Sequence, residues 1–130
     1  MLIKVVCIED NPQNSRLVRK ILGGAGYYVI ECPDGESGYA AILSERPDLV
    51  LMDVNLPDID GLELTLRLKA DPDLRGIPVI ALTANAMYGD RERCLAAGCD
   101  GYIPKPITKT LLISTVGDVL ANIQSAGAAS

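Results

Sequence analysis

Residues 49–61 read LVLMDVNLPDIDG. Leu49, Val50, Leu51 and Met52 make an unbroken apolar run, the pattern of a strand covered on both faces, and Asp53 ends it. A carboxylate delivered at the carboxyl end of such a strand emerges into the crevice where open α/β sheets bind ligands. Asp53 is therefore the first candidate for chemistry, and Pro57 and Gly61 punctuate the loop behind it.

The same form recurs upstream. Residues 3–8, IKVVCI, are a short apolar run that leads into Glu9 and Asp10, so two strands bring acids to one edge. Asn11 and Pro12 then suit a helix N-cap and first turn, and Leu17, Val18, Ile21, Leu22 and Ala25 recur at helical spacing. Gly23, Gly24 and Gly26 follow a helix and do not lie between strand and helix, so they read as a C-terminal turn and not as a phosphate-cradling loop. Tyr28 to Cys32 is a second strand. Asp34 can cap the helix that carries Ala40 to Leu43, which Pro47 stops.

Downstream of the central loop, leucines at 62, 64, 66 and 68 alternate as a strand would. The surrounding Glu, Lys and Arg are good helix formers, and parallel strands need a crossover, so the segment is expected to be helical. Val79 to Thr83 is a fourth buried strand, ending in a hydroxyl. Met87 to Ala97 is expected to be a charged helix closed by Gly98, and Asp100 to Ile103 a short fifth strand. Pro104 and Pro106 flank Lys105 and restrict where it can sit. A last helix carries Leu112, Val116, Val119, Leu120 and Ile123 on one stripe, and 125–130 is expected to be a disordered tail behind a domain spanning 1–124. Five alternations of strand and helix, without an internal repeat, make an α/β protein: a doubly wound parallel sheet with helices on both faces.

Composition narrows the chemistry. The 130 residues fit one domain, and the net charge of −5 argues against a nucleic-acid face. No apolar run approaches the roughly 20 residues of a membrane span, and no secretory cleavage site is evident, so a soluble, cytoplasmic protein is expected. Histidine is absent, which excludes Ser-His-Asp and Cys-His mechanisms within the chain. The four cysteines include no C-x-x-C pair and read as reduced thiols.

Every polar residue singled out lies at a strand's carboxyl end: Glu9, Asp10, Asp53, Thr83 and Lys105. Three clustered carboxylates repel one another unless a cation sits among them, and oxygen ligands without His or Cys point to magnesium, or alternatively manganese. A metal, a lysine and a hydroxyl around one carboxylate equip Asp53 to be a nucleophile toward a phosphoryl group, with catalysis by positioning and charge and no general base.

The acidic pair at 9–10, LMDVNLPDIDG at 51–61, TAN at 83–85 and YIPKP at 102–106 together resemble the receiver domain of two-component response regulators, the CheY-like fold, over about residues 3–122. The segment ANAMYGDRERCLAAGCDGYIPKPI is particularly similar to DivK-type receivers and to those of hybrid kinases. The resemblance implies the flavodoxin-like strand order 2-1-3-4-5 with five helices. It implies that Asp53 accepts a phosphoryl group from a histidine kinase or histidine phosphotransfer protein. Asp10, Asp53, the Asn55 backbone carbonyl and Glu9, directly or through water, would hold Mg2+. Thr83 matches the family's switch hydroxyl, Lys105 its phosphate-binding lysine and Tyr102 its rotating aromatic, with Lys105–Pro106 as a cis peptide. A stand-alone receiver, monomeric or weakly dimeric, would signal to a downstream protein target through the fourth helix, fifth strand and fifth helix. Met87, Asp90, Arg91 and Arg93 are the expected partner surface.

Rival chemistries fit less well. A haloacid-dehalogenase-type phosphatase needs a second acid two residues after its nucleophile, where Asn55 stands. A flavodoxin-like electron carrier lacks a phosphate loop and any tryptophan, and a scaffold that never takes phosphate would not need all five site residues.

Overall fold

The computed structural model describes residues 2–86 and 89–129, with side chains up to 122. Five strands alternate with five helices: β1 Lys4–Ile8, α1 Pro12–Gly24, β2 Tyr28–Cys32, α2 Gly35–Glu45, β3 Leu49–Asp53, α3 Gly61–Ala70, β4 Val79–Thr83, α4 Asp90–Ala96, β5 Gly101–Pro104 and α5 Lys109–Ala129. All strand pairings are parallel, in the order β2-β1-β3-β4-β5. The strand order and the two-sided helical cover are those expected from the sequence.

The unbroken apolar runs have a simple cause. Successive side chains of a strand point to opposite faces, and both faces here are covered. Val5 and Cys7 of β1 and Leu49 and Leu51 of β3 join Val18, Leu22, Leu112 and Val116 in one core, beneath α1 and α5. Val6, Ile8, Val50 and Met52 join Ile42, Leu64, Leu68 and Cys94 in the other, beneath α2, α3 and α4. β3 and β4 are buried throughout, so any polar group at their carboxyl ends is held by two close-packed layers.

Caps fix where the helices begin. The Asn11 side chain accepts from the backbone N–H groups of Gln13 and Asn14, with Pro12 in the first turn, and Asp34 accepts from Ser37 N–H. Asp60, not anticipated as a cap, accepts from Leu62 N–H and starts α3. The alternating leucines do form a helix. Leu62, Leu64, Thr65 and Leu68 are buried while Leu66 is 52% exposed, which is helical periodicity.

Two expectations need adjustment. The charged helix α4 starts at Asp90 behind Gly89, whose φ of 97° places the left-handed turn where a glycine is favoured. Met87 itself lies outside the described residues. α5 continues through Ala129, across most of the stretch expected as a tail, and side chains from 123 onward, Ile123 included, lie outside the described residues. Among the described residues, no helix is long and apolar enough to cross a membrane.

Candidate functional site

β1, β3, β4 and β5 point the same way, so their carboxyl ends meet along one edge. Glu9 follows β1, and Asp53 and Thr83 close β3 and β4. All three are nearly inaccessible, at 2%, 2% and 1% exposure, whereas Asp10 is exposed. Lys105, one residue beyond β5, reaches back into the edge: its Nζ lies 2.9 Å from Glu9 Oε1 and 3.2 Å from Asp53 Oδ2. The Lys105–Pro106 peptide is cis, as the resemblance implies.

The acids are held in place by neighbours. Asp53 Oδ1 accepts the Asn55 backbone N–H at 3.0 Å. Glu9 Oε1 accepts from Asn14 Nδ2 at 3.1 Å, and Glu9 Oε2 from Asn11 N–H at 3.3 Å. Asn14 was not singled out from the sequence. Its place five residues after Glu9, on the first turn of α1, is the signal that could have found it. Gly61 is required by proximity, since a Cβ there would collide with the Asp53 carbonyl oxygen and lie 2.9 Å from its carbon.

Burial pushes the Asp53 carboxyl up to about 7, helped by its hydrogen bond and like charge with Glu9, against the pull of Asn55 N–H and Lys105. Burial acts on Glu9 as well. There it is outweighed by hydrogen bonds with Asp53 and Lys105 and by the lysine's charge, so Glu9 falls to about 2. Burial opposes the Lys105 ammonium, but its contacts with both acids raise it above its ordinary value. Below about pH 7 the two buried carboxyls are thus expected to hold one proton between them, beside one ammonium.

One carboxylate oxygen from each of Glu9, Asp10 and Asp53 lies within 4.8 Å of the others. Three hard oxygen donors with no nitrogen or sulfur ligand among them fit a divalent cation of the magnesium kind, which would take the place of the proton and compete with the ammonium. Asn55 sits on the exposed loop beside them and is paired by an isolated bridge to Asp60, so its backbone is at the same edge.

Thr83 is engaged elsewhere. Its hydroxyl donates to Asp90 Oδ2 at 2.6 Å and accepts Asn85 N–H at 3.0 Å. This overturns one expectation. Asp90 is 6% exposed and faces inward, because a buried hydroxyl and the Arg93 guanidinium, 3.0 Å from Asp90 Oδ1, hold it there. It cannot belong to an open partner surface. Arg91 and Arg93 are exposed. Arg93 also reaches Asp60 Oδ2 at 3.2 Å, and the Arg91 guanidinium lies 5.7 Å from the centroid of the half-buried Tyr102 ring. Asp60 and the inward role of Asp90 were both missed, since a run of charges on a short helix carries no mark of which one turns inward.

Known proteins are similar to this chain in sequence and fold. The family model "Response regulator receiver domain" matches residues 5–117. The polar-differentiation response regulator DivK of Brucella anthropi is 44% identical over 118 residues, covering 91% of this chain and 96% of that protein. A CheY-like response regulator receiver domain protein from Methanospirillum hungatei superposes with a TM-score of 0.89 at 27% identity, over 97% of this chain and 99% of the other. The receiver domain of a Pseudomonas aeruginosa sensor histidine kinase, solved with a magnesium ion coordinated in its active site cleft, gives a TM-score of 0.85 at 36% identity, over 93% and 99%. With its fold, its acidic edge and these relatives in agreement, the chain belongs to the response regulator receiver domain family of two-component signalling.

Proposed function

We infer that this protein is a phosphorylation-driven switch of a phosphorelay, with Asp53 as phosphoacceptor for a phosphohistidine on a histidine kinase or phosphotransfer protein. The observation that carries this is the pairing of a buried Asp53 with Lys105 at 3.2 Å, inside a cluster of acids that suits a divalent cation. An Asp53 oxygen forms the new P–O bond, the donor's P–N bond breaks, and the imidazole leaves with the electron pair and takes up a proton.

Glu9, Asp10, Asp53 and the Asn55 carbonyl would hold Mg2+, which supplies charge neutralisation for the phosphoryl oxygens. Lys105 would bind one of those oxygens as it turns away from Glu9, and Thr83 another once its hydroxyl leaves Asp90. Nothing in the step needs a general base, consistent with a chain that lacks histidine. The near-complete coverage of DivK relatives supports a single-domain receiver over 1–124 that signals by altered contacts with a downstream protein, and the exposed Arg91 and Arg93 are the described residues of that surface.

The test is incubation with phosphoramidate and Mg2+, read as a hydroxylamine-sensitive mass gain. Wild type should gain one phosphoryl group and Asp53→Asn none. A gain that survives in Asp53→Asn, or none in wild type, would overturn the assignment.

A further inference from the structure

The hydroxyl at the end of β4 is not idle in this structure. It is bound to a carboxylate that is itself almost fully buried, and that carboxylate is held by a cation that also grips the loop behind Asp53. Thr83 Oγ1 donates to Asp90 Oδ2 at 2.6 Å, Arg93 donates to Asp90 Oδ1 at 3.0 Å, and the other Arg93 amine donates to Asp60 Oδ2 at 3.2 Å. Asp60 Oδ1 caps α3 through Leu62 N–H at 2.8 Å, and Asp60 pairs across the loop with Asn55. The chain of contacts therefore runs from the β4 edge, through α4, to the loop that follows Asp53.

We propose that Asp90 is a positioning residue that holds the Thr83 hydroxyl in a resting orientation, so that occupancy of Asp53 by a phosphoryl group and docking of the first turn of α4 compete for one hydrogen bond. The proposal rests on the reading of Asp53 as phosphoacceptor. A hydroxyl has one proton to donate, so Thr83 cannot donate to Asp90 and to a phosphoryl oxygen together. When it turns away, Asp90 keeps a buried oxygen without its donor, which is costly unless the helix start shifts or water enters. The charge-assisted bond from Thr83 is the strong link. The Arg93–Asp60 contact is more than half exposed on the arginine side and adds little by itself, but Arg93 fixes which way the buried carboxylate faces.

The consequence is a hold on the reaction itself: the domain pays in α4 docking whatever Thr83 contributes to phosphoryl binding. Removing the hold should tighten binding at Asp53, and only while Thr83 is present to respond. A role for Asp90 limited to supporting α4 would act regardless of what stands at position 83.

The experiment is a double-mutant cycle on the full chain, with beryllofluoride and Mg2+ as a tetrahedral mimic of the phosphoryl group. Wild type, Asp90→Asn, Thr83→Val and the pair are titrated, with the Thr83 methyl resonance followed wherever Thr83 is retained. Asp90→Asn is expected to tighten beryllofluoride binding roughly fivefold to tenfold and to move the Thr83 methyl signal, before any ligand is added, toward its ligand-bound position. In the Thr83→Val background the same change should alter affinity less than about twofold. Arg93→Gln, at an exposed position, should give a smaller gain with the same dependence on Thr83, and decides the matter if Asp90→Asn does not fold. An equal effect in both backgrounds, or a Thr83 signal that does not move, overturns the positioning role. Failure of beryllofluoride to bind wild type, or equal binding to Asp53→Asn, overturns the phosphoacceptor reading and this inference with it.

Discussion

Lys105 Nζ stands 3.2 Å from Asp53 Oδ2 and also 2.9 Å from Glu9 Oε1, so one ammonium bridges two buried acids. A side chain in that place does two opposed things: it shields the carboxylates from each other, and it competes with any divalent cation for them. Lys105→Met separates the two. Phosphorylation by phosphoramidate with saturating Mg2+ should slow by about 10²–10³-fold, the usual cost of removing one charge-stabilising donor. Mg2+ affinity, read by quenching or calorimetry, should stay the same or rise. Loss of both together would mark Lys105 as a structural group only.

The shared proton predicts a pH dependence with a definite sign. Asp53 is raised from 3.8 to about 7, so between these values the folded protein keeps a proton that the unfolded chain has released, and stability falls as pH rises. Glu9, lowered from 4.5 to about 2, works the other way: its contribution is present above pH 4.5 and is lost as pH falls toward 2. In chelator, Tm should therefore drop by about 5–10 degrees from pH 5 to pH 7.5, corresponding to about 2 kcal/mol. Excess Mg2+ should remove that drop by binding the ionised acids, and Asp53→Asn should remove it without metal. A flat wild-type profile in chelator would contradict the shared proton.

Gly61 is sensitive for a reason unconnected with conformational freedom. Its missing Cβ is where the Asp53 carbonyl oxygen lies, with Val54 Cα only 3.0 Å away, and both are backbone atoms that cannot swing aside. Gly61→Ala should cost about 1–3 kcal/mol by forcing β3 and α3 apart. It should also reduce Mg2+ affinity, because the displaced backbone carries Asp53. Thermal unfolding with and without Mg2+ measures both, and a variant as stable as wild type would mean the loop moves freely.

The leucine ladder of α3 offers a contrast within six residues of sequence. Leu64 is 3% exposed and packs under the sheet, whereas Leu66 is 52% exposed. Leu64→Ala should cost about 2–5 kcal/mol and Leu66→Ala less than about 0.5 kcal/mol in urea unfolding. Equal costs would point to a strand-like disposition instead.

Much of this site was legible because its signal is local. An apolar run that stops at an acid, twice, and at a hydroxyl and a lysine beyond two further strands, announces four strand ends, and a parallel sheet brings such ends together. The motifs at 51–61 and 102–106 then gave the family and the strand order, which periodicity alone does not determine. The alternation at 62–68 misleads only when read without the need for a crossover. What stayed hidden is set by contacts distant in sequence or by a turn of chain. Asp90 looks like its neighbours Arg91 and Glu92 until Thr83 is seen beside it, and Asp60 looks like a loop acid until Leu62 and Arg93 are placed. Gly89 moved the start of α4 past the point where charge patterning put it, since a left-handed glycine ends one conformation before the next begins.

The brevity of α4 has a consequence for how the molecule breathes. Seven residues complete few backbone bonds of their own, and the helix is anchored chiefly through Cys94, with Ala97 just beyond it, and through Asp90. α3, by contrast, buries Leu62, Leu64, Thr65 and Leu68, and β3 is sealed along its whole length. Local opening should therefore be least costly at α4, and its amides should exchange with solvent well ahead of those in β3. A fold that keeps its rigid centre under the acids and its loosest helix beside the switch hydroxyl can rearrange that flank while the sheet that aims Asp53 stays intact.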